Sequence, residues 1–83
     1  MHELSLAAEI VDVALKVAGD SGAAAVTTVH ITMNAASHVD RSVLSQAFEI
    51  AAVGTRASEA TLDVTVGRCA RGEVAVTAID VNP

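Results

Sequence analysis

The stretch Val-Thr-Thr-Val-His-Ile-Thr-Met, residues 26–33, decides the fold of this chain. It is rich in β-branched residues, and its apolar and polar side chains alternate. The apolar set is Val29, Ile31 and Met33, and the polar set is Thr28, His30 and Thr32. A period of two residues is typical of a β-strand with one buried face. We therefore expect a strand here that packs its apolar side against the rest of the chain.

A helix is predicted on the amino-terminal side of this strand, from Leu4 to Ala18. The polar residues in that stretch recur at spacings of four, three and four, and they are Ser5, Glu9, Asp12 and Lys16. Such spacing keeps them on one narrow stripe of an α-helix, so most of the circumference is apolar and needs cover. The segment from Gly19 to Gly22 supplies the stop.

A second helix is predicted on the other side of the strand, after a turn over Asn34–Ser37. Asp40 is a good N-cap, because a short carboxylate can accept hydrogen bonds from the first turn of a helix. Apolar residues then recur at helical spacing, at Val43, Leu44, Ala47, Phe48 and Ala51. Gly54 is the expected carboxyl-terminal cap.

Two further strands are predicted, over Leu62–Val66 and Glu73–Val81. The short link between them predicts an antiparallel hairpin. In the last strand the apolar phase changes before Ile79, which indicates a bulge near Ala78 or burial of both faces at that end. The order α-β-α-β-β predicts an α+β fold, in which two helices pack on a small three-stranded mixed sheet in one two-layer domain spanning residues 1–83.

Composition narrows the functional class. The chain has 83 residues, 10 acidic and 5 basic side chains, a net charge of -5, and one aromatic residue. This balance argues against nucleic acid as a partner. No apolar run is long enough to span a membrane, and the start of the chain lacks the basic residues of a secretion signal, so we expect a cytoplasmic protein. The core would consist of small side chains, and we expect a homo-oligomer.

Nothing in the sequence predicts an enzyme. No nucleophile triad has local support, and the glycine-rich phosphate-binding motifs are absent. The informative feature is the opening Met1-His2-Glu3. The α-amine, the first peptide nitrogen and the imidazole of His2 can close small chelate rings around one metal ion, and the amide or carboxylate of Glu3 can take a fourth position. A nitrogen-rich tetragonal set suits Ni(II) or Cu(II). The alternative is a solvated start of a helix.

The chain resembles the HypA family, the nickel metallochaperones of nickel-iron hydrogenase maturation. The resemblance is carried by Met1-His2-Glu3-Leu4-Ser5-Leu6-Ala7, Ala47-Phe48-Glu49, Gly54-Thr55, Glu59-Ala60 and Leu62-Asp63-Val64. It implies that His2 is the principal nickel ligand, helped by the Met1 amine and by Glu3. It also implies that the chain captures Ni(II) and passes it to the hydrogenase large subunit together with a HypB-type GTPase.

Two departures from the family pattern leave an alternative open. Family members carry a zinc module with paired CxxC motifs between the last two strands, and here the short loop 67–72 with one thiol replaces it, so we expect no zinc. The family tends to show Gly-Glu-Leu-Ser after the first strand, where this chain has Asn34-Ala35-Ala36-Ser37. The alternative is a metal-independent protein-interaction or assembly subunit on the same scaffold.

Three other residues have open roles. His30 and His38 are expected to be solvated or hydrogen-bonded, although either would complete a nickel shell if the fold brought it to the amino terminus. Cys69 is expected to be a plain loop thiol. In a dimer, two copies of it could instead form a disulfide or share a metal ion.

Overall fold

The computed structural model of the protein describes residues 2–69 and 72–83, with only the backbone of residue 2. Two helices and three strands follow one another as α1 (His2–Ser21), β1 (Ala25–Asn34), α2 (Arg41–Ala52), β2 (Thr61–Gly67) and β3 (Val74–Asn82). The strands form one mixed sheet. This architecture confirms the predicted α+β fold of two helices on a small three-stranded sheet.

The strand order is β2-β1-β3, so β1 is the central strand. β1 runs parallel to β2 and antiparallel to β3, and Ile31 lies opposite Val64 on one side and Val76 on the other. The predicted β2–β3 hairpin is therefore wrong. The link that joins these strands passes the end of β1, where the Asn34 N–H donates to the Glu73 carbonyl at 2.7 Å and the Ala35 N–H to the Gly67 carbonyl at 2.9 Å.

The physical reason for this order is that both outer strands gain a partner in the apolar central strand. Two strand spacings amount to about 10 Å, whereas a six-residue link can reach about 20 Å. The link is therefore long enough to cross over β1, and its shortness does not force its two strands together.

Two irregularities keep the apolar residues of the sheet on one face. In β3 the pairing moves from Val76 opposite Ile31 to Ala78 opposite His30, so Thr77 is an extra residue. This confirms the bulge that the phase change in β3 predicts. Thr27 is the extra residue in β1. Each extra threonine donates its hydroxyl across the strand pair, Thr77 to the His30 carbonyl at 3.2 Å and Thr27 to the Asp80 carbonyl at 3.1 Å.

The core lies between the sheet and the two helices. α1 contacts α2, β1 and β3, and α2 contacts α1 and β2. The largest fully buried side chains are Phe48, Ile31, Leu44, Val26 and Val29. α1 contributes mainly small residues to this core, among them Ala7, Ala14 and Ala18. In the part of the chain that the structure describes, neither helix combines the length and the apolarity needed to cross a bilayer.

The predicted helix boundaries are close to the observed ones. Asp40 caps α2, with Oδ1 accepting from the Val43 N–H at 3.0 Å. Gly54 follows the end of α2 with a φ of +77°, in the left-handed region that glycine enters without a steric cost. α1 passes through Gly19 and ends at Ser21, since Gly22, with a φ of +70°, takes the capping position.

Candidate metal centre

The predicted nickel ligands stand at the beginning of α1. Met1 and the side chain of His2 lie outside the described residues, so the structure gives the position of one member of the set Met1, His2 and Glu3. That member is Glu3, which is half-buried in the first turn of α1.

Glu3 ties the start of α1 to the start of α2. Its Oε2 accepts a hydrogen bond from the backbone N–H of Asp40 at 3.0 Å. The Asp40 carboxylate in turn caps α2, and the Asp40 carbonyl accepts from the Leu44 N–H at 2.9 Å. The third residue of the chain is thus anchored beside the N-cap of the second helix.

This place suits a cation electrostatically. The amino ends of two helices meet here, and each carries a partial positive charge. The carboxylates of Glu3 and Asp40 offset that charge, which would otherwise repel a metal ion. The α-helical hydrogen-bond pattern also assigns no intrahelical acceptor to the first amide nitrogens of a helix. Because α1 begins at His2, coordination through the His2 amide nitrogen would break no helical hydrogen bond.

The two other histidines occupy very different places. His38 is exposed and lies two residues before Asp40, on the segment that Glu3 contacts. The fold therefore brings the His38 segment to the beginning of α1. His30 lies on β1, where its neighbours Val29 and Ile31 are buried towards the helices. Since side chains alternate along a strand, His30 points to the face of the sheet away from the helices and away from this site.

His30 forms a cluster with two aspartates that sequence reasoning missed. Its Nδ1 lies 2.8 Å from Asp63 Oδ2, and its Nε2 lies 2.8 Å from Asp80 Oδ2. The pKa of His30 is raised above its ordinary value of 6.5, first by the hydrogen bond to Asp80 and then by that to Asp63, with desolvation acting in the opposite sense. The polar phase of β1 and β2 hints at the pair with Asp63, but the contact with Asp80 requires the strand order.

The His30 cluster, which we define as His30, Asp63 and Asp80, does not have the geometry of a metal site. The two carboxylates lie at opposite nitrogens of one ring, so they do not converge on a common point. Among the side chains that the structure describes, no group of three or more His, Cys, Asp or Glu residues is placed to hold a metal ion.

Cys69 is half-buried in the link between β2 and β3. Its Sγ donates to the Thr32 carbonyl at 3.1 Å, and the Glu73 carbonyl lies 3.9 Å from the same sulfur. The thiol therefore fastens the link to the end of β1. Disulfide formation or metal binding would break this contact, so the geometry favours the interpretation of Cys69 as a plain loop thiol.

Comparison with known proteins agrees with the resemblance noted from the sequence. The family model described as "Hydrogenase/urease nickel incorporation, metallochaperone, hypA" matches residues 1–77. The hydrogenase maturation factor HypA of Roseiflexus sp. (strain RS-1) is 41% identical over 64 residues, which are 77% of this chain and 52% of that protein. The corresponding factor of Thermomicrobium roseum is 38% identical over 66 residues, 80% of this chain and 50% of that protein. The chain spans about half the length of these curated relatives.

Solved structures share the fold. The solution structure of the Ni metallochaperone HypA from Helicobacter pylori superposes with a TM-score of 0.84 at 14% identity, covering 96% of this chain and 97% of that one. A second solution structure, of a HypA protein, gives a TM-score of 0.80 at 16% identity, with 98% and 96% covered. At these identities the likeness concerns the fold alone.

Proposed function

Because the chain belongs to the HypA family, we propose that it is a nickel-binding accessory protein of hydrogenase maturation that captures Ni(II) at its amino terminus. The observation that carries this proposal is the contact between Glu3 Oε2 and the Asp40 N–H. It holds Glu3 at the place where the beginnings of both helices meet. Nickel is the cargo of this site.

The proposed ligands are the Met1 amine, the amide nitrogen and imidazole of His2, and Glu3. The first three form fused chelate rings around one ion. Glu3 supplies a fourth donor through its amide or its carboxylate, while its bond to Asp40 limits how far the first turn can move. A predominantly nitrogen donor set favours tetragonal Ni(II).

Capture through these atoms depends on pH. The amine must lose its proton, the amide nitrogen must be deprotonated, and the imidazole must be neutral before each can bind a metal. Affinity for Ni(II) therefore rises with pH. Protonation of the amine and amide nitrogens favours release of Ni(II) to a partner.

The receiving partners in this proposal are a hydrogenase large subunit and a HypB-type GTPase. Support for them comes from the family relationship. The link between β2 and β3, where the family carries its zinc module, holds a single thiol in this chain. A structural zinc ion takes four ligands, so we expect delivery to proceed without zinc.

Calorimetric titration with Ni(II) tests the proposal, using protein whose Met1 amine is free. We expect one ion to bind to the native chain and the affinity to fall at least tenfold in His2→Ala. His38→Ala is the matched control, since it removes an exposed histidine from the segment next to Asp40. An unchanged affinity in His2→Ala would refute capture through His2. A loss in His38→Ala equal to that in His2→Ala would add His38 to the ligand set.

One structural feature supports the alternative of a metal-independent assembly subunit. Three apolar side chains of α1 remain strongly exposed, Leu4 at 49%, Val13 at 44% and Val17 at 39%. Beside them lies a groove of about 340 Å³ lined by Leu6, Glu9, Ile10, Val13, Val74 and Val76. In this alternative a second copy of the chain covers that surface. Light scattering with and without Ni(II) separates the two functions, because a stable oligomer that takes up no metal would favour the assembly subunit.

A further inference from the structure

The His30 cluster connects all three strands of the sheet through one side chain. His30 is on the central strand, and the parallel register places Asp63 of β2 directly opposite it. Asp80 of β3 is opposite Thr28, two pairs further along and on the same face of the sheet. With both ring nitrogens 2.8 Å from a carboxylate oxygen, one imidazole contacts both outer strands.

The two contacts depend on the protonation state of the His30 ring. A neutral imidazole has one N–H and can donate to one carboxylate, while its other nitrogen would face the lone pairs of the second. The imidazolium ion has two N–H groups and donates to both. Both distances also lie within the range of about 2.7–2.9 Å that is typical of charge-assisted hydrogen bonds. With both carboxylates ionised, only the charged ring satisfies both contacts.

Among the described residues, two charged groups act on the His30 ring. They are the Asp63 carboxylate from β2 and the Asp80 carboxylate from β3. From β3 the Thr77 hydroxyl also contacts the strand, donating to the His30 carbonyl, and it carries no charge. The side chains are only partly shielded from water, with 33% of His30, 55% of Asp63 and 58% of Asp80 exposed, so solvent and salt weaken the pairs.

We propose that protonated His30 is a pH-dependent clasp that holds both outer strands to β1 and opens when the ring loses its proton. The clasp is separate from the proposed nickel site, because it lies on the opposite face of the sheet from the helices. It uses no metal and persists whether or not the amino terminus binds one.

The direction of its pH dependence follows from the raised pKa of His30 in the folded chain. Below the ordinary pKa of about 6.5 the ring is charged in the folded and the unfolded chain, and the clasp contributes fully to stability. As the pH rises through the higher pKa of the folded state, the proton leaves and the contribution is lost. Nickel capture has the opposite dependence, since its ligands bind only after losing protons. Mild acid therefore tightens the sheet and disfavours the metal.

NMR titration of the histidine side chains tests the clasp directly, with the His30 signals assigned by their absence in His30→Gln. We expect the pKa of His30 to lie above 6.5, to fall in Asp63→Asn and in Asp80→Asn, and to fall furthest when both are changed. A pKa at or below 6.5 would overturn the proposal. So would a pKa that responds to only one of the two substitutions, because the ring would then join β1 to one outer strand alone.

Thermal unfolding provides the second readout. The difference in Tm between the native chain and His30→Gln should be largest near pH 6 and shrink towards pH 9. His38→Gln is the matched control, because His38 is exposed and outside the cluster, and its Tm difference should not follow the pH profile of His30→Gln. A His30→Gln difference that does not vary with pH, or that grows with pH, contradicts the clasp. If His30→Gln does not fold, the NMR titration of the native chain and the two aspartate variants decides the matter.

Discussion

Replacing Asp40 separates the two carboxylate contacts that join the helices at the proposed site. Asp40→Ala removes the Oδ1 acceptor 3.0 Å from the Val43 N–H but keeps the backbone N–H that donates to Glu3. Losing an N-cap costs about 1 kcal/mol, and losing a negative charge at a helix amino terminus adds about 0.3–0.5 kcal/mol at an exposed position. We therefore expect Asp40→Ala to lower the free energy of unfolding by about 1.3–1.5 kcal/mol in all.

Asp40→Asn is the control that isolates the charge. Asparagine caps a helix about as well as aspartate, so the variant should lose only the charge contribution, about 0.3–0.5 kcal/mol. Urea denaturation followed by circular dichroism measures both variants, and in thermal unfolding 1 kcal/mol corresponds to about 4–8 °C of Tm for a domain of this size. Equal losses in Asp40→Ala and Asp40→Asn, or no loss in either, would refute the assignment of Asp40 as the N-cap that positions α2 against Glu3.

Four further outcomes are expected from the same structure. Glu3→Ala should cost about 1 kcal/mol in urea denaturation because it deletes the acceptor for the Asp40 N–H, whereas a neutral effect would mean that the contact is not formed in solution. Gly54→Ala should destabilise the protein by about 1–2 kcal/mol because the φ of Gly54 is +77°. Gly19 lies in a helix with open space around it, so Gly19→Ala should stabilise the protein by about 0.5–1 kcal/mol. Reversed signs in urea denaturation would contradict the backbone conformations of the two glycines. The Phe48 side chain is only 1% exposed, so Phe48→Ala should lower the free energy of unfolding by about 3–5 kcal/mol. Circular dichroism should then show much of the protein unfolded. A loss under about 1 kcal/mol would contradict the central place of Phe48 in the core. The affinity for Ni(II) should rise between pH 6 and pH 8 in calorimetric titrations, and a fall would argue against amine and amide ligands.

The elements of the fold were predictable because their signals are local. The two-residue alternation in 26–33 and the helical recurrence of apolar residues depend on neighbours within a few positions, and so does the cap at Asp40. The bulge at Thr77 was also within reach, since it restores the apolar phase before Ile79. Each of these features is set by backbone geometry and by which side chains need burial.

Strand order was not predictable from the same signals. The length of the β2–β3 link permits a hairpin or a crossing over β1, and the choice depends on which pairing covers the apolar central strand. The His30 cluster depends on that choice, because Asp63 and Asp80 meet one imidazole only when β1 lies between their strands. Asp63 and Asp80 are separated from His30 by 33 and 50 positions in the sequence. Contacts over such separations produce no periodic pattern from which they could be predicted.

The proposed nickel ligands illustrate the same difference between local and long-range signals. The chelating potential of Met1-His2-Glu3 is a property of three consecutive residues, so it can be recognised from their chemistry. The position of Glu3 beside Asp40 arises from packing between α1 and α2, and no local pattern in the sequence predicts that packing.

X-ray absorption at the nickel edge of the one-to-one complex shows which atoms bind the ion, and so tests capture of Ni(II) by the amino terminus. If the amino terminus captures the ion, the shell is tetragonal, its nitrogen and oxygen donors include one imidazole, and the imidazole signal disappears in His2→Ala. A spectrum unchanged in His2→Ala, or a sulfur donor in the shell that is lost in Cys69→Ser, would contradict capture of Ni(II) by the amino terminus.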